Sequence, residues 1–127
     1  MTRTAITSPN APEPAGPYSH GVVAAGIVAV AGQVGIDPTT GKLVGDDVTS
    51  QTRQAIKNLE AVLLAAGSSL DDVIRIGVFL TEVDDFAAMN EVYAQAVPAP
   101  HPARTTVYVG LPPGYVVEVD ALAVVAP

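Results

Sequence analysis

Residues 116–125 have the sequence Val-Val-Glu-Val-Asp-Ala-Leu-Ala-Val-Val, in which apolar residues surround two carboxylates. Successive side chains of a β-strand point to opposite faces, so the segment divides into two sets. One set is Val117, Val119, Ala121, Ala123 and Val125, and the other is Val116, Glu118, Asp120, Leu122 and Val124. Because both sets are largely apolar, the segment predicts a strand whose sheet is covered on both faces.

Several segments before this strand also have the pattern of extended chain. Residues 27–31, Ile-Val-Ala-Val-Ala, are apolar at every position, which is typical of a strand covered on both faces. A turn at Gly26 precedes them, and residues 37–41, Asp-Pro-Thr-Thr-Gly, predict another turn. The predicted extended segments are 18–24, 27–31, 33–36, 73–80 and 105–109.

The clearest helical pattern covers residues 48–66. Apolar and small residues recur there at intervals of three and four, which predicts one buried face. Asp46 or Asp47 is expected to cap the first turn, and Gly67 stands where a helix often ends in a left-handed residue. The predicted buried face is Val48, Thr52, Ala55, Ile56, Leu59, Val62, Leu63 and Ala66, and the predicted polar side is Arg53, Lys57, Asn58 and Glu60.

A second helix is expected from a cap at Asp84 to about Ala96. Pro98, Pro100 and Pro102 then enforce an extended loop. Two helices can cover only one face of the sheet, so its half-apolar second face predicts self-association. The mean hydropathy of +0.37 is high for a small soluble monomer and likewise predicts that apolar surface is covered in a subunit contact.

Composition excludes several classes of protein. The 127 residues favour one domain over residues 1–127, and a net charge of −7 argues against nucleic acid or an anionic membrane surface as a partner. The absence of cysteine excludes thiolate chemistry and Cys-ligated metals. The longest apolar run, residues 22–31, is too short to span a bilayer, and no export signal precedes it. A cytoplasmic location is therefore predicted.

Arg104 and Glu118 are the strongest candidates for chemistry. Arg104 follows a Pro-stiffened loop, where its guanidinium could take a carboxylate in a two-point contact, although a surface ion pair would explain it too. Glu118 lies on a strand face that is otherwise apolar, where a paired or cavity-facing carboxylate could activate water. The alternative for Glu118 is an edge-strand acid that faces solvent. Asp120, two residues on, is a weaker candidate.

Three weaker candidates for ligand contacts remain. Asn90, in the second predicted helix, could contact a ligand or cap loop carbonyls. Tyr18 could line a pocket or fill a subunit contact. Gly32 and Gly35 bracket Gln33 and could mark a bulge that exposes backbone N–H groups to a ligand, or only a bend.

These residues occur in an order that resembles the reactive intermediate deaminase family (RidA, also called YjgF). The resemblance covers residues 14–124. It rests on the order and spacing of several short motifs rather than on a single one. The motifs are Gly16-Pro17-Tyr18, Ala31-Gly32-Gln33, Asp37-Pro38-x-Thr-Gly41, residues 51–59, residues 65–67, residues 78–80, Phe86-x-x-x-Asn90-x-x-Tyr93, Pro102-Ala103-Arg104 and residues 117–121.

The resemblance implies an α+β, chorismate mutase-like domain: a mixed six-stranded sheet with two helices packed on one face. It implies a homotrimer whose sheets form a central barrel, with clefts between neighbouring chains. It also implies hydrolysis of enamines and imines such as 2-aminoacrylate to 2-oxo acids and ammonia, without a cofactor or metal. Arg104 would bind the substrate carboxylate, Glu118 would position water, Gly32 would offer its backbone and Tyr18 would form a wall.

The chain departs from the family's pattern at positions that would line the cleft. Ala31 replaces a hydroxyl residue, Thr106 a common cysteine and His101 a common aromatic, and the loop before Arg104 is shortened. With Asn90, these are the further predicted substrate contacts. Three alternatives stay open: a non-catalytic binder or sensor of small carboxylates, a ribonuclease, which the acidic charge argues against, and a purely structural trimer.

Overall fold

A computed structural model describes residues 2–126. Its main sheet has six strands in the order β1-β2-β3-β8-β6-β7, and β4 and β5 form a separate hairpin. All neighbouring strands are antiparallel except β6 and β7, so the sheet is mixed, as expected. The strands are β1 (Thr4–Ile6), β2 (Gly21–Ala24), β3 (Ile27–Val34), β4 (Ile36–Asp37), β5 (Lys42–Leu43), β6 (Val73–Leu80), β7 (Ala103–Tyr108) and β8 (Val117–Val124).

The last strand, β8, lies inside the sheet between β3 and β6. Val117, Val119, Ala121 and Ala123 are buried against the helices, as the alternation predicts. No helix of residues 2–126 packs on the opposite face of the sheet, called the outer face below. Its apolar side chains remain between 37% and 46% exposed, namely Ile27, Ile74, Val107, Leu122 and Val124. The sheet is thus apolar on both faces, and one of them is open in the single chain.

The first helix, α1 (Val48–Ala65), packs across β3 and β8. Asp47 is its cap, because the Asp47 carboxylate accepts the Ser50 N–H at 2.9 Å. Gly67 has a φ of +77°, and the Ser68 N–H donates to the Leu63 carbonyl at 2.9 Å. This is the left-handed helix end that the sequence predicts, and the whole predicted apolar face is buried.

The second helix, α2 (Phe86–Ala96), packs beside α1 on the same face of the sheet. The prediction that Asp84 caps it is wrong. A short 3₁₀ turn over Val83–Asp85 precedes the helix and puts Asp85 at the cap position, where its side chain makes no capping bond. No helix within residues 2–126 combines the length and the apolar character that crossing a bilayer needs.

Three details of the strands differ from the sequence-based expectation. Residues 33–36 are not a separate strand, because β3 continues through a bulge between Val30 and Gln33. The six strands of the sheet are completed instead by β1, whose backbone pairs with β2. Residues 18–20 precede β2 rather than belong to it. A short strand such as β1 has no periodicity to reveal it, since only its pairing partner defines it.

Two side-chain amides on α1, those of Gln51 and Asn58, are buried, and the prediction that Asn58 lies on the polar side of the helix is wrong. The Asn58 side chain donates to the Val34 and Ile36 carbonyls at 3.0 and 2.8 Å, where β3 leaves the sheet. Gln51 donates to the Gly45 and Gly114 carbonyls. Both amides therefore satisfy loop backbone that would otherwise be buried without partners.

Replacing Gln51 with Leu is expected to lower the free energy of unfolding by about 2–4 kcal/mol. The side chain is fully buried, and its carbonyl also accepts the Val116 N–H at 3.0 Å, so leucine leaves three backbone groups unpaired. Urea titration measures the change, with the exposed Gln95→Leu as a matched control. A loss no larger than that of the control contradicts the role assigned to Gln51.

Candidate active site

Arg104 lies on the edge strand β7, on the side of the sheet that the helices cover. In the parallel ladder with β6, Arg104 is opposite Ile76 and Thr106 is opposite Val78, and both partners are buried beneath the helices. Arg104 and Thr106 therefore point towards α2. The Arg104 Cζ atom lies 4.7 Å from the ring centroid of Tyr93 and 5.7 Å from that of Phe86.

A cavity of about 310 Å³, called the Arg104 cavity below, opens beside this guanidinium. Within residues 2–126 Arg104 forms no ion pair, and its charge rests on the faces of two aromatic rings. A half-buried guanidinium in this setting retains its hydrogen-bond donors for an anion. The cavity is lined by Asn90, Tyr93, Ala94, His101, Pro102 and Arg104.

Two polar atoms beside Arg104 have no hydrogen-bond partner among the described residues. They are the Asn90 Oδ1 atom and the Tyr93 hydroxyl, both shielded from solvent. The Asn90 Oδ1 atom is therefore available to accept a hydrogen bond from a ligand. Burial raises the pKa of Tyr93, and the charge of Arg104 partly opposes that change. The role of Tyr93 as a wall of the cavity was missed, although its spacing from Asn90 on one helix face could have indicated it.

Glu118 lies on the outer face of β8, opposite Val34 of β3 and Phe79 of β6. Its position within the sheet shows that the alternative of a solvent-facing acid on an edge strand is wrong. Burial raises the pKa of Glu118, and the neighbouring charge of Asp120 raises it further. A carboxylate with a raised pKa is a stronger base than a free one, which suits proton transfer.

The bulge in β3 brings Gly32 against Glu118. A Cβ atom at Gly32 would lie 2.7 Å from the Glu118 Oε2 atom, so any larger residue would displace the carboxylate. Ala31 is half-buried beside it, and its N–H donates to the His20 carbonyl at 2.9 Å. The bulge thus leaves the Gly32 backbone exposed next to Glu118, which is the arrangement expected if the backbone contacts a ligand.

A second cavity, of about 230 Å³ and called the Glu118 cavity below, lies between this bulge and the N-terminal loop. Tyr18 lines it, and its hydroxyl accepts the Ala15 N–H at 3.0 Å. The buried His20 holds the loop, because Nδ1 accepts the Ser8 N–H at 3.0 Å and Nε2 donates to the Pro12 carbonyl at 2.7 Å. Sequence analysis assigned no such role to His20.

The predicted site residues fall into two groups that do not meet within one chain. Asn90, His101 and Arg104 surround the Arg104 cavity on the helix side, and Thr106 shares their strand face. Tyr18, Gly32 and Glu118 surround the Glu118 cavity, and Ala31 adjoins them. Arg104 and Glu118 point to opposite faces of the sheet, so one ligand cannot contact both in a single chain. A site with both groups needs two copies, as the family resemblance implied.

Comparison with known proteins identifies the family. The model of the Endoribonuclease L-PSP family matches residues 8–125. A RutC family protein of Pyrococcus horikoshii is 47% identical over 119 residues, which are 93% of this chain and 94% of that protein. Human 2-iminobutanoate/2-iminopropanoate deaminase is 36% identical over 128 residues, covering 100% of this chain and 93% of the human protein.

A solved structure gives the same answer for the fold. YyfA from Yersinia pestis, a protein of the conserved Rid protein family whose crystal structure is known, is 40% identical in sequence to this chain. It superposes with a TM-score of 0.93 over 98% of this chain and 100% of that one. Both the sequence matches and the structural superposition cover nearly the whole chain. The chain therefore belongs to the Endoribonuclease L-PSP family, also called the YjgF/RidA family.

Proposed function

We propose that this protein hydrolyses reactive 2-imino acids and their enamine forms to 2-oxo acids and ammonia. The observation that carries the proposal is the half-buried Arg104 guanidinium, which faces a cavity, lies over the rings of Tyr93 and Phe86, and forms no ion pair within residues 2–126. Such a group is suited to a planar carboxylate. The imine deaminase activity in the name of the human relative supports this choice of substrate.

Glu118 supplies the second requirement, a base for water. A water oxygen attacks the carbon of the protonated imine while one water proton passes to the Glu118 carboxylate, which gives a neutral tetrahedral carbinolamine. Glu118 then returns this proton to the amine nitrogen. The carbon–nitrogen bond breaks, ammonia leaves, and the hydroxyl proton passes back to the Glu118 carboxylate as the carbonyl forms. The imine is already electrophilic, so orientation and proton transfer supply the acceleration.

The site is proposed to form between two copies in a homotrimer, with the outer faces of the sheets against one another. The open apolar outer face and the opposite directions of Arg104 and Glu118 support this arrangement. Each cleft would join the Arg104 cavity of one copy to the Glu118 cavity of the next. Tyr18, Ala31 and Gly32 would come from one copy, and Asn90, His101 and Thr106 from the other. A cytoplasmic location remains a prediction.

A second candidate function is binding of a small carboxylate metabolite without turnover. It is favoured by the same feature, because Arg104 and its cavity would hold a carboxylate whether or not water attacks it. The two functions differ in their need for Glu118. Hydrolysis requires it as a base for water, whereas binding of a carboxylate at Arg104 does not. The acidic chain, with six basic against thirteen acidic residues, does not favour the ribonuclease suggested by the family's name.

Glu118→Gln is expected to lower the rate of imine hydrolysis about 100-fold or more while ligand binding is retained, because glutamine keeps the shape but cannot accept the proton. The assay measures ammonia and 2-oxo acid released from imines that an amino-acid oxidase generates in situ. Binding of a 2-oxo acid is measured by calorimetry. The matched control is Glu91→Gln, an exposed acid on α2.

The outcomes separate the two candidate functions. Acceleration by the wild type that Glu118→Gln abolishes supports the deaminase. If the wild type accelerates no imine across several side-chain sizes yet binds the 2-oxo acid, the enzyme proposal is wrong and the binder remains. The same series of side chains tests whether the departures at Ala31, His101 and Thr106 change substrate preference.

A further inference from the structure

The outer face of β8 carries two carboxylates, and each faces a glycine on a neighbouring strand. Glu118 lies against Gly32 of β3, where a Cβ atom would come within 2.7 Å of its Oε2 atom. Asp120 is opposite Gly77 of β6, where a Cβ atom would collide with its Oδ1 atom. Each acid thus lies against a glycine of one neighbouring strand, Gly32 of β3 for Glu118 and Gly77 of β6 for Asp120. The two acids, separated by one residue, share the space that these glycines leave.

The two carboxylates have different environments. The Asp120 Oδ1 atom accepts the Gly77 N–H at 3.1 Å, which fixes the position of this carboxylate against β6. No described residue donates a hydrogen bond to Glu118, whose pKa burial raises first and the charge of Asp120 raises second. Asp120 is thus held by the backbone, whereas Glu118 keeps its oxygen atoms available for a water molecule.

We propose that Asp120 is a positioning residue for Glu118: its carboxylate, held by the Gly77 N–H on the same face of β8, sets the electrostatic environment in which Glu118 takes a proton from water. The inference rests on the proposed function and deepens it, since it assigns to Asp120 the control of when Glu118 can take a proton from water. Asp120 needs no contact with substrate for this role. It acts through the electrostatic field across the shared strand face.

Other titratable and charged groups also surround Glu118. The N-terminal loop contributes Glu13, Tyr18 and His20 to the Glu118 cavity, and Tyr115 precedes β8. On β6 the facing residue is Phe79, and Arg75 is farther along the same face, opposite Leu122. Asp120 differs from these groups in being fixed on the same strand face by a backbone hydrogen bond.

The test is Asp120→Asn, which removes the charge while its amide oxygen can still accept the Gly77 N–H. Without the negative charge, Glu118 loses its proton at lower pH and becomes a weaker base. The ratio of kcat/KM at pH 5 to that at pH 8 should therefore rise about threefold over the wild type, and kcat at pH 8 should fall about threefold. Asp84→Asn, an exposed acid before α2, is the matched control.

A second measurement does not depend on activity. The titration of Glu118 can be observed by ¹³C NMR of its side-chain carboxyl carbon, whose signal is assigned with Glu118→Gln. The midpoint of this titration should move to lower pH in Asp120→Asn. If the wild type hydrolyses no imine but the Glu118 titration still moves to lower pH in Asp120→Asn, the proposed function is wrong and the coupling between the two acids stands. An unchanged titration overturns the inference, and so does a variant that is slower at every pH with an unchanged profile.

Discussion

Replacing Arg104 with alanine is expected to lower kcat/KM for 2-imino acids about 1000-fold, because truncating one partner of a buried charge pair costs several kcal/mol. The guanidinium is the group that faces the Arg104 cavity with a full positive charge, and its stacking on Tyr93 holds it there. Arg104→Lys should recover little of this loss, since an ammonium cannot make the planar two-point contact with a carboxylate.

The control for this result is Arg53→Ala, an exposed arginine on α1 that lies in neither cavity. Its kcat/KM should stay within twofold of the wild type. Circular dichroism and the oligomeric state of Arg104→Ala must match the wild type, so that lost activity reports on binding. A variant that retains more than a tenth of wild-type kcat/KM contradicts the role given to Arg104.

Two inactive variants should restore activity to each other when their chains are mixed. Arg104 and Glu118 point to opposite faces of the sheet, so a site between copies takes one residue from each chain. In random oligomers of Arg104→Ala and Glu118→Gln chains in equal amounts, about one quarter of the sites receive both intact residues. Unfolding the two variants together and refolding them should thus give about one quarter of wild-type activity, against about 1% for Glu118→Gln alone and about 0.1% for Arg104→Ala alone.

The control is the same pair of variants refolded separately and combined only at the assay, which should stay inactive as long as subunits do not exchange. Native mass spectrometry with one isotope-labelled variant confirms that mixed oligomers have formed. If mixed oligomers are present and activity is not restored, Arg104 and Glu118 do not act across a shared interface, and the proposed site between copies is wrong.

The elements with strong periodicity could be predicted from the sequence. The alternation over residues 116–125 predicted both faces of β8, and the three-and-four spacing predicted the buried face of α1. The capping residues predicted its ends, with the first cap left open between Asp46 and Asp47. Such patterns are local, because each face follows from the geometry of one strand or helix. The fold class and the family followed from the order of short motifs and were confirmed by the comparisons.

Two of the misses share a physical cause, which is that they depend on partners far along the chain. Asn58 was expected on the polar side of α1. It is buried instead, because its side chain donates hydrogen bonds to two backbone carbonyls at the end of β3. The short strand β1 exists only through its pairing with β2. Asp84 loses the cap position to a 3₁₀ turn whose extra residues no local pattern revealed.

The sequence by itself determined the two helices and the strongly periodic strands, the excess of acidic charge and, through the family resemblance, the two candidate catalytic residues. It could not determine where Arg104 and Glu118 lie relative to each other, since each strand has two faces and only pairing relates one strand to the next. The parallel register of β7 on β6 turns Arg104 towards α2, and the antiparallel pairing of β8 turns Glu118 to the open face. Only the tertiary structure decided that the two residues are separated within one chain.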